Sequence, residues 1–291
     1  MPICTGMTRR GLLVPTLGAL AAACSPLGLL NGLGPRDGGV RRAAHNLAYG
    51  PDDRQTLDVW VPTQPSATPR PVLVFFYGGG WYAGDKDLYG WAAQALAARG
   101  FVVMVADYRL VPEVHFPAFI EDAAAATALT TRIAPQYGGD PARLGVLGHS
   151  AGAYLCMMIA LDRRYLAAVD APGVVRAAAG LAGPYDFLPL DTPASRNAFN
   201  RAPDLTLTQP VSFVRPDAPP LWLGHGVIDK VVHAEDTTIL CERMRAVGGR
   251  CEAKLYPNLT HEDLIATFSP LFRRKGPVLD DVVDFFRREL V

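Results

Sequence analysis

LGVLGHSAGAYL, Leu144 to Leu155, is a short apolar run that breaks at a serine set between two glycines, Gly148 and Gly152. The residues before the break have the make-up of a buried strand, and residues 151–162 that of a helix. A strand that turns at once into a helix forces its turn residue, Ser150, into a strained backbone conformation and lifts the hydroxyl outward. A Cβ at either flanking position would strike the neighbouring strand or helix, so glycine is needed at both. The N–H of Ala151, at the start of the new helix, then points to where a negative oxygen would form if Ser150 attacked a carbonyl. A plain Gly–Ser turn is the competing reading, and the strand before and helix after argue against it.

On either side of this stretch, buried strands alternate with helices. TLDVWVP (56–62), PVLVFFY (71–77), FVVMVADY (101–108), RLGVLGHS (143–150), VRAAAGLAG (175–183), PPLWLGHG (219–226) and CEAKLYP (251–257) read as strands. Helices are expected over 87–99, from 116 to the glycines at 138–139, and over 151–162, 233–247 and 277–290. Continuous apolar runs imply strands covered on both faces, and the alternation implies one mostly parallel, doubly wound α/β sheet. Sites in such sheets form at the carboxyl ends of the strands, where Ser150 lies. Residues 187–218 are irregular and proline-rich, which suggests a small cap.

A second signal is independent of the first. FFYGGGWYAGDKD follows a buried strand, and its three glycines leave backbone N–H groups open to a ligand. Gly79 and Gly80 are placed to complete an oxyanion hole with Ala151, and Trp81 and Tyr82 are candidate walls of a substrate pocket. No Gly-Lys-Ser/Thr follows and dinucleotide spacing is absent, so this is not a phosphate loop. The serine needs a base and an orienting acid. His261, in LYPNLTHEDL after the last strand, is the best base. Asp229, in LGHGVIDKVV after the preceding strand, is the best acid, with Asp186 and Glu235 as fallbacks. His149 adjoins the serine but is expected to point away from it; His225 and His233 flank the acid loop; His45 and His115 read as structural.

Composition narrows the partners. Twenty-eight basic residues balance 28 acidic ones, so the basic excess of a nucleic-acid binder is missing. No clustered Cys/His spacing suggests zinc, and the chemistry above needs no metal or organic cofactor. Cys156 reads as an apolar filler in the helix after Ser150. Cys241 and Cys251 either form a disulfide or remain free thiols, and both readings stay open at this point.

At these residues the chain resembles the α/β-hydrolase superfamily, in its esterase branch with an HGGG-type oxyanion loop. It is similar to the hormone-sensitive-lipase-like and feruloyl/acetyl-xylan-esterase-like carboxylesterases, and to isoprenylcysteine methylesterases and kynurenine formamidases. YGGGW, ADYRLVPEVHFPAFIEDA, YGGDPARLGVLGHSAGA, HGVIDKVV and LTHED carry the likeness, over roughly residues 46–291. The resemblance implies an α/β-hydrolase fold, Ser150, Asp229 and His261 as a triad, and Gly79, Gly80 and Ala151 as oxyanion donors. It also implies a structural pair, Arg109 with Asp122. Tyr77 stands where the lipase-like group usually has histidine, and points to the feruloyl-esterase-like and formamidase-like branches. The expected activity is hydrolysis of small or medium carboxylic esters through an acyl-enzyme. The rivals are an arylformamidase-type amide hydrolase and a catalytically silent binding member of the fold.

The first residues differ in character. MTRRGLLVPTLGALAAAC places Arg9 and Arg10 before an apolar run too short to span a bilayer comfortably, then small residues up to Cys24. Residues 1–24 read as an export signal, with Cys24 a candidate lipid anchor, although Ala21 is smaller than the residue usual at that position of a lipoprotein site. An ordinary signal peptide with an incidental cysteine is the plainer version. Residues 25–45 are expected to form a flexible tether and 46–291 the hydrolase domain. The implied location is a bacterial periplasm or membrane surface, with the cytoplasm as the alternative.

Overall fold

The apolar runs become the middle of one eight-stranded sheet. The computed structural model describes residues 34–291. In chain order the strands are β1 (Val40–Ala48), β2 (Thr56–Pro62), β3 (Arg70–Phe76), β4 (Val102–Ala106), β5 (Gly139–His149), β6 (Val175–Leu181), β7 (Leu221–Gly226) and β8 (Cys251–Tyr256). They lie side by side as β1-β2-β4-β3-β5-β6-β7-β8. The β1–β2 and β2–β4 pairs are antiparallel, and every pair from β4 to β8 is parallel. This is the α/β-hydrolase arrangement that the resemblance implies.

The helices are α1 (Gly90–Ala97), α2 (Ala118–Ile133), α3 (Ala151–Leu161), α4 (Arg163–Ala167), α5 (Pro193–Phe199), α6 (Glu235–Ala246), α7 (His261–Ala266) and α8 (Val278–Glu289). They cover both faces, as parallel strands require. On β5, a Cβ at Gly145 would meet Phe286 of α8 at 2.6 Å, whereas one at Gly148, on the opposite face, would meet the backbone of α3 at 2.2 Å. All eleven residues of α3 are buried, and it is apolar around its whole circumference, which suits a helix enclosed by protein.

Two expectations need correction. The tether expected to reach residue 45 already contains β1, which pairs with β2 from Val40 onward. The strand is half exposed and carries Arg41, Arg42 and His45, with its register interrupted between Arg42 and Leu47. A charged, bulged edge strand lacks the alternation by which strands are recognised. The helix expected over 87–99 is instead a 3₁₀ turn, Lys86–Tyr89, followed by α1. The leader and Cys24 lie outside the described residues. Cys241 of α6 and Cys251 of β8 are disulfide-bonded, and Cys156 is free and buried. Arg109 and Asp122 pair as the resemblance implies, with Nη2 to Oδ1 at 2.7 Å.

Candidate active site

Four loops at the carboxyl ends of parallel strands meet at one rim of the sheet: residues 77–84 after β3, Ser150 after β5, Asp229 after β7 and His261 after β8. Ser150 has φ 55° and ψ −123°, a left-handed conformation strained for a side-chain-bearing residue. The flanking glycines are needed for the reason sequence gives. A Cβ on Gly148 would meet the Gly152 carbonyl at 2.2 Å, and one on Gly152 would meet the Phe76 carbonyl of β3 at 2.1 Å.

His261 Nε2 lies 2.9 Å from Ser150 Oγ, and His261 Nδ1 lies 2.8 Å from Asp229 Oδ2. The three residues chosen from sequence are therefore brought together. Asp229 is ionised: burial pushes its acidity down, but side-chain hydrogen bonds from His225 and His261 outweigh this and hold its pKa far below the usual carboxylate range. A carboxylate only accepts, so His261 carries its proton on Nδ1, and Nε2 is left to accept from the Ser150 hydroxyl. The Asp229 loop fixes the other oxygen as well, because Oδ1 accepts from the N–H groups of Val231 at 2.7 Å and Val232 at 3.0 Å. Asp186 pairs with Arg243 instead, at 3.5 Å, and Glu235 opens helix α6.

Ser150 opens into a cavity of about 300 Å³ whose lining includes Gly80, Trp81, Ala151, Phe187 and His233. Of the three expected oxyanion donors, Gly80 and Ala151 line it. Ala151 is the first residue of α3, so its N–H has no intrahelical acceptor and lies at the positive end of the helix dipole. Gly79 is not among the lining residues. Its carbonyl closes the turn by accepting from Tyr82 and Ala83, and at φ 144° a Cβ there would strike the Ala83 carbonyl at 2.0 Å. A larger cavity, about 740 Å³, opens where β6 and β7 begin and includes none of these residues.

The two candidate pocket aromatics separate. Trp81 is buried, lines the cavity, and packs edge-on against Tyr154 and Phe199. Tyr82 is 61% exposed and does not line the cavity, which corrects the sequence expectation. The cause is local: Trp81 itself sits at φ 65°, and the sharp bend sends consecutive side chains to opposite sides. The cap supplies what Tyr82 does not. Phe187 and Phe199, from the proline-rich 187–218 region, pack their rings edge-on or tilted against Trp81 and Tyr154.

Tyr77, the departure from the lipase-like pattern, is wholly buried. Its hydroxyl donates to Asp107 Oδ1 at 2.8 Å and accepts from Arg54 at 2.7 Å. Asp107 also accepts the N–H of Lys86 and faces its ammonium group at 3.3 Å. The stem of the glycine loop is thus tied to an ionic cluster beside it. Nearby, the ligand atoms of His45, Asp58 and Asp87 cluster within 4.8 Å. Arg42 and Lys86 pair with those carboxylates, so no metal is assigned to the group.

The BD-FAE family pattern matches residues 57–244. The chain belongs to the BD-FAE family. It is 32% identical to esterase LipC of Mycobacterium tuberculosis, over 71% of this chain and 57% of LipC. It is 27% identical to the isoprenylcysteine alpha-carbonyl methylesterase ICME of Arabidopsis thaliana, over 86% of this chain and 63% of ICME. It spans between about half and two thirds of the length of the curated relatives it first matches. Its fold is similar to that of esterase B from Lactobacillus rhamnosis, with a TM-score of 0.78, 20% identity and 93% of each chain covered.

Two residues of this BD-FAE member that bear on the site, His149 and His225, are visible in the sequence as neighbours of Ser150 and of the acid loop but receive no role from it. His149 Nε2 bonds the backbone carbonyl of His261 at 3.0 Å, and His225 Nε2 lies 3.2 Å from Asp229 Oδ2. Burial, with the nearby His261 second, pushes the pKa of His149 down to about 3, so it is neutral. Adjacency to Ser150 and to the acid loop was the only available signal, and it does not reveal contacts made across the fold.

Proposed function

We propose that this chain is a serine carboxylesterase that cleaves short to medium acyl esters through an acyl-enzyme. The observation that carries the reading is His261, which spans Ser150 and Asp229 with bonds of 2.9 and 2.8 Å on its two ring nitrogens. Ser150 Oγ attacks the ester carbonyl while His261 Nε2 takes its proton. Asp229 holds the Nδ1–H tautomer and stabilises the imidazolium. The N–H groups of Gly80 and Ala151 hold the tetrahedral oxyanion, each lowering the barrier by roughly 3–4 kcal/mol. His261 returns the proton to the leaving alcohol, then activates the water that frees the acid and regenerates Ser150. The cavity of about 300 Å³, closed by Trp81 and Phe187, favours short acyl groups.

An acyl-length series of p-nitrophenyl esters tests this. Turnover is expected to peak at short chains and to vanish in Ser150→Ala, and a fluorophosphonate should label the wild type but not that variant. A preference for long chains would overturn the size assignment. No labelling of active-site serine would overturn the mechanism. An N-formylated aniline run beside p-nitrophenyl acetate separates ester from amide cleavage.

We further propose export, with lipid attached at Cys24. The support is the Arg9–Arg10 leader ending at Cys24 and the Cys241–Cys251 disulfide, a bond that persists in oxidising compartments. Mass spectrometry of protein recovered from bacterial membranes checks it: a lipidated amino-terminal Cys24 is expected, and unprocessed protein in the cytosol would refute it.

A further inference from the structure

The acid of the triad is itself held from behind. His225, the penultimate residue of β7, is fully buried. Its Nε2 lies 3.2 Å from Asp229 Oδ2 and 3.1 Å from the carbonyl of Val232. Both neighbours only accept, so Nε2 carries the proton and shares it between them. On the other side of the ring, Nδ1 lies 2.8 Å from Thr237 Oγ1. With the proton on Nε2, the neutral ring accepts at Nδ1 from the Thr237 hydroxyl. Asp229 Oδ2 therefore receives two imidazole N–H groups, from His261 and His225, while Oδ1 receives two backbone N–H groups. The carboxylate has no free direction in which to turn.

We propose that His225, locked in one tautomer by Thr237, is a positioning residue for the proposed ester hydrolysis: it fixes Asp229 Oδ2 where His261 needs it. The inference rests on the serine-esterase reading above. A purely space-filling role does not account for the arrangement. An apolar side chain would fill the same volume without burying two ring nitrogens, whereas each nitrogen here is matched to a partner of the right polarity. The same N–H also reaches Val232, whose neighbours Val231 and His233 line the cavity beside Ser150. His225 thus joins the acid, the cavity wall and helix α6, which carries Thr237.

The test uses the full chain and two conservative pairs. Thr237→Ser keeps the hydroxyl, and Thr237→Val keeps the shape without it. His225→Gln keeps an N–H near the place of Nε2, and His225→Leu removes it. On p-nitrophenyl acetate, Thr237→Ser should match the wild type, while Thr237→Val should lose several-fold in kcat with KM unchanged. His225→Leu should fall below His225→Gln in kcat by roughly ten- to a hundredfold, the usual range for a buried bond to a charged group. A fall in kcat without a rise in KM marks an interaction that matters for the chemical step. The far-downfield proton resonance of the His261–Asp229 bond should also shift in Thr237→Val and not in Thr237→Ser.

Equal kinetics for the two Thr237 variants would overturn the proposal, as would losses that merely track melting temperature. If His225→Leu does not fold, the Thr237 pair decides. Wild-type protein with no ester turnover would sink the esterase reading and this proposal with it. An active wild type with indistinguishable variants would sink this proposal alone.

Discussion

His149 donates through Nε2 to the backbone carbonyl of His261 at 3.0 Å. The residue before the proposed nucleophile therefore grips the residue proposed as its base, across 112 positions of sequence. The bond acts on the main chain, so it sets the height of the imidazole above Ser150 without competing for either ring nitrogen. Replacing His149 by Phe keeps the bulk and removes the donor. It should lower kcat for p-nitrophenyl acetate by roughly tenfold, the scale of a buried hydrogen bond, with little change in KM. Steady-state kinetics on the folded variant check this, and unchanged kcat would show that the bond does not hold the site.

The same residue ties stability to pH. Burial holds the His149 pKa near 3 in the folded chain, against its ordinary 6.5 once unfolded. Between those values the unfolded chain binds the extra proton, so stability is full above pH 6.5 and falls as pH drops toward 3. The slope from this residue is at most about 1.4 kcal/mol per pH unit. His149→Gln does not titrate, so the stability gap between wild type and variant should move in the variant's favour as pH falls through that window. Urea unfolding at pH 7.5, 6 and 5 measures it, and a constant gap would refute the assignment.

Gly152 admits no side chain. An added methyl would sit 2.1 Å from the Phe76 carbonyl, and a backbone atom of a central strand cannot step aside as a flexible side-chain tip can. Gly152→Ala should abolish fluorophosphonate labelling and lower the melting temperature. Gly173→Ala is a useful contrast, since nothing lies within 4 Å of its Cβ position. Only the left-handed backbone there, φ 70°, is strained by alanine, which costs about 1 kcal/mol and leaves labelling intact.

The Cys241–Cys251 bond closes a loop of ten residues between α6 and β8. Restricting the unfolded chain in this way stabilises by about 2–3 kcal/mol on the chain-entropy account. Double replacement by serine should lower the denaturant midpoint accordingly while leaving kcat near wild type, since neither cysteine lines the cavity beside Ser150. An unaltered midpoint in chemical denaturation would show that the bond contributes nothing.

What sequence reveals here follows from where each signal is local. Ser150 and Asp229 stand just past buried apolar strands, and His261 follows the loop after β8, whose middle residues are exposed; strand-end logic finds all three and the geometry brings them together. The doubly wound sheet is legible for the same reason, because strands buried on both faces are uniformly apolar. β1 is hidden because its arginines and bulges suit an exposed edge. Tyr82 is misread because the left-handed bend at Trp81 divides two adjacent aromatics. His149 and His225 act through bonds to distant or turn-dependent partners, and such bonds leave no periodic trace. The cap is recognised only by its irregularity, yet Phe187 and Phe199 supply much of the aromatic packing around Trp81.

The Tyr77 phenol bridges Arg54 and Asp107, and the ring lies so close to Gly84 that a Cβ there would come within 2.5 Å of it. Tyrosine at this place is thus one member of a matched set. Exchanging it alone for the histidine of the lipase-like pattern would remove one hydrogen-bond partner from Asp107 and one from Arg54, although Lys86 and the carbonyls of Tyr108 and Gly84 still hold them, and would leave a void against the far end of the glycine turn. The identity of this one side chain is therefore coupled to that of Arg54, Asp107 and Gly84 around it.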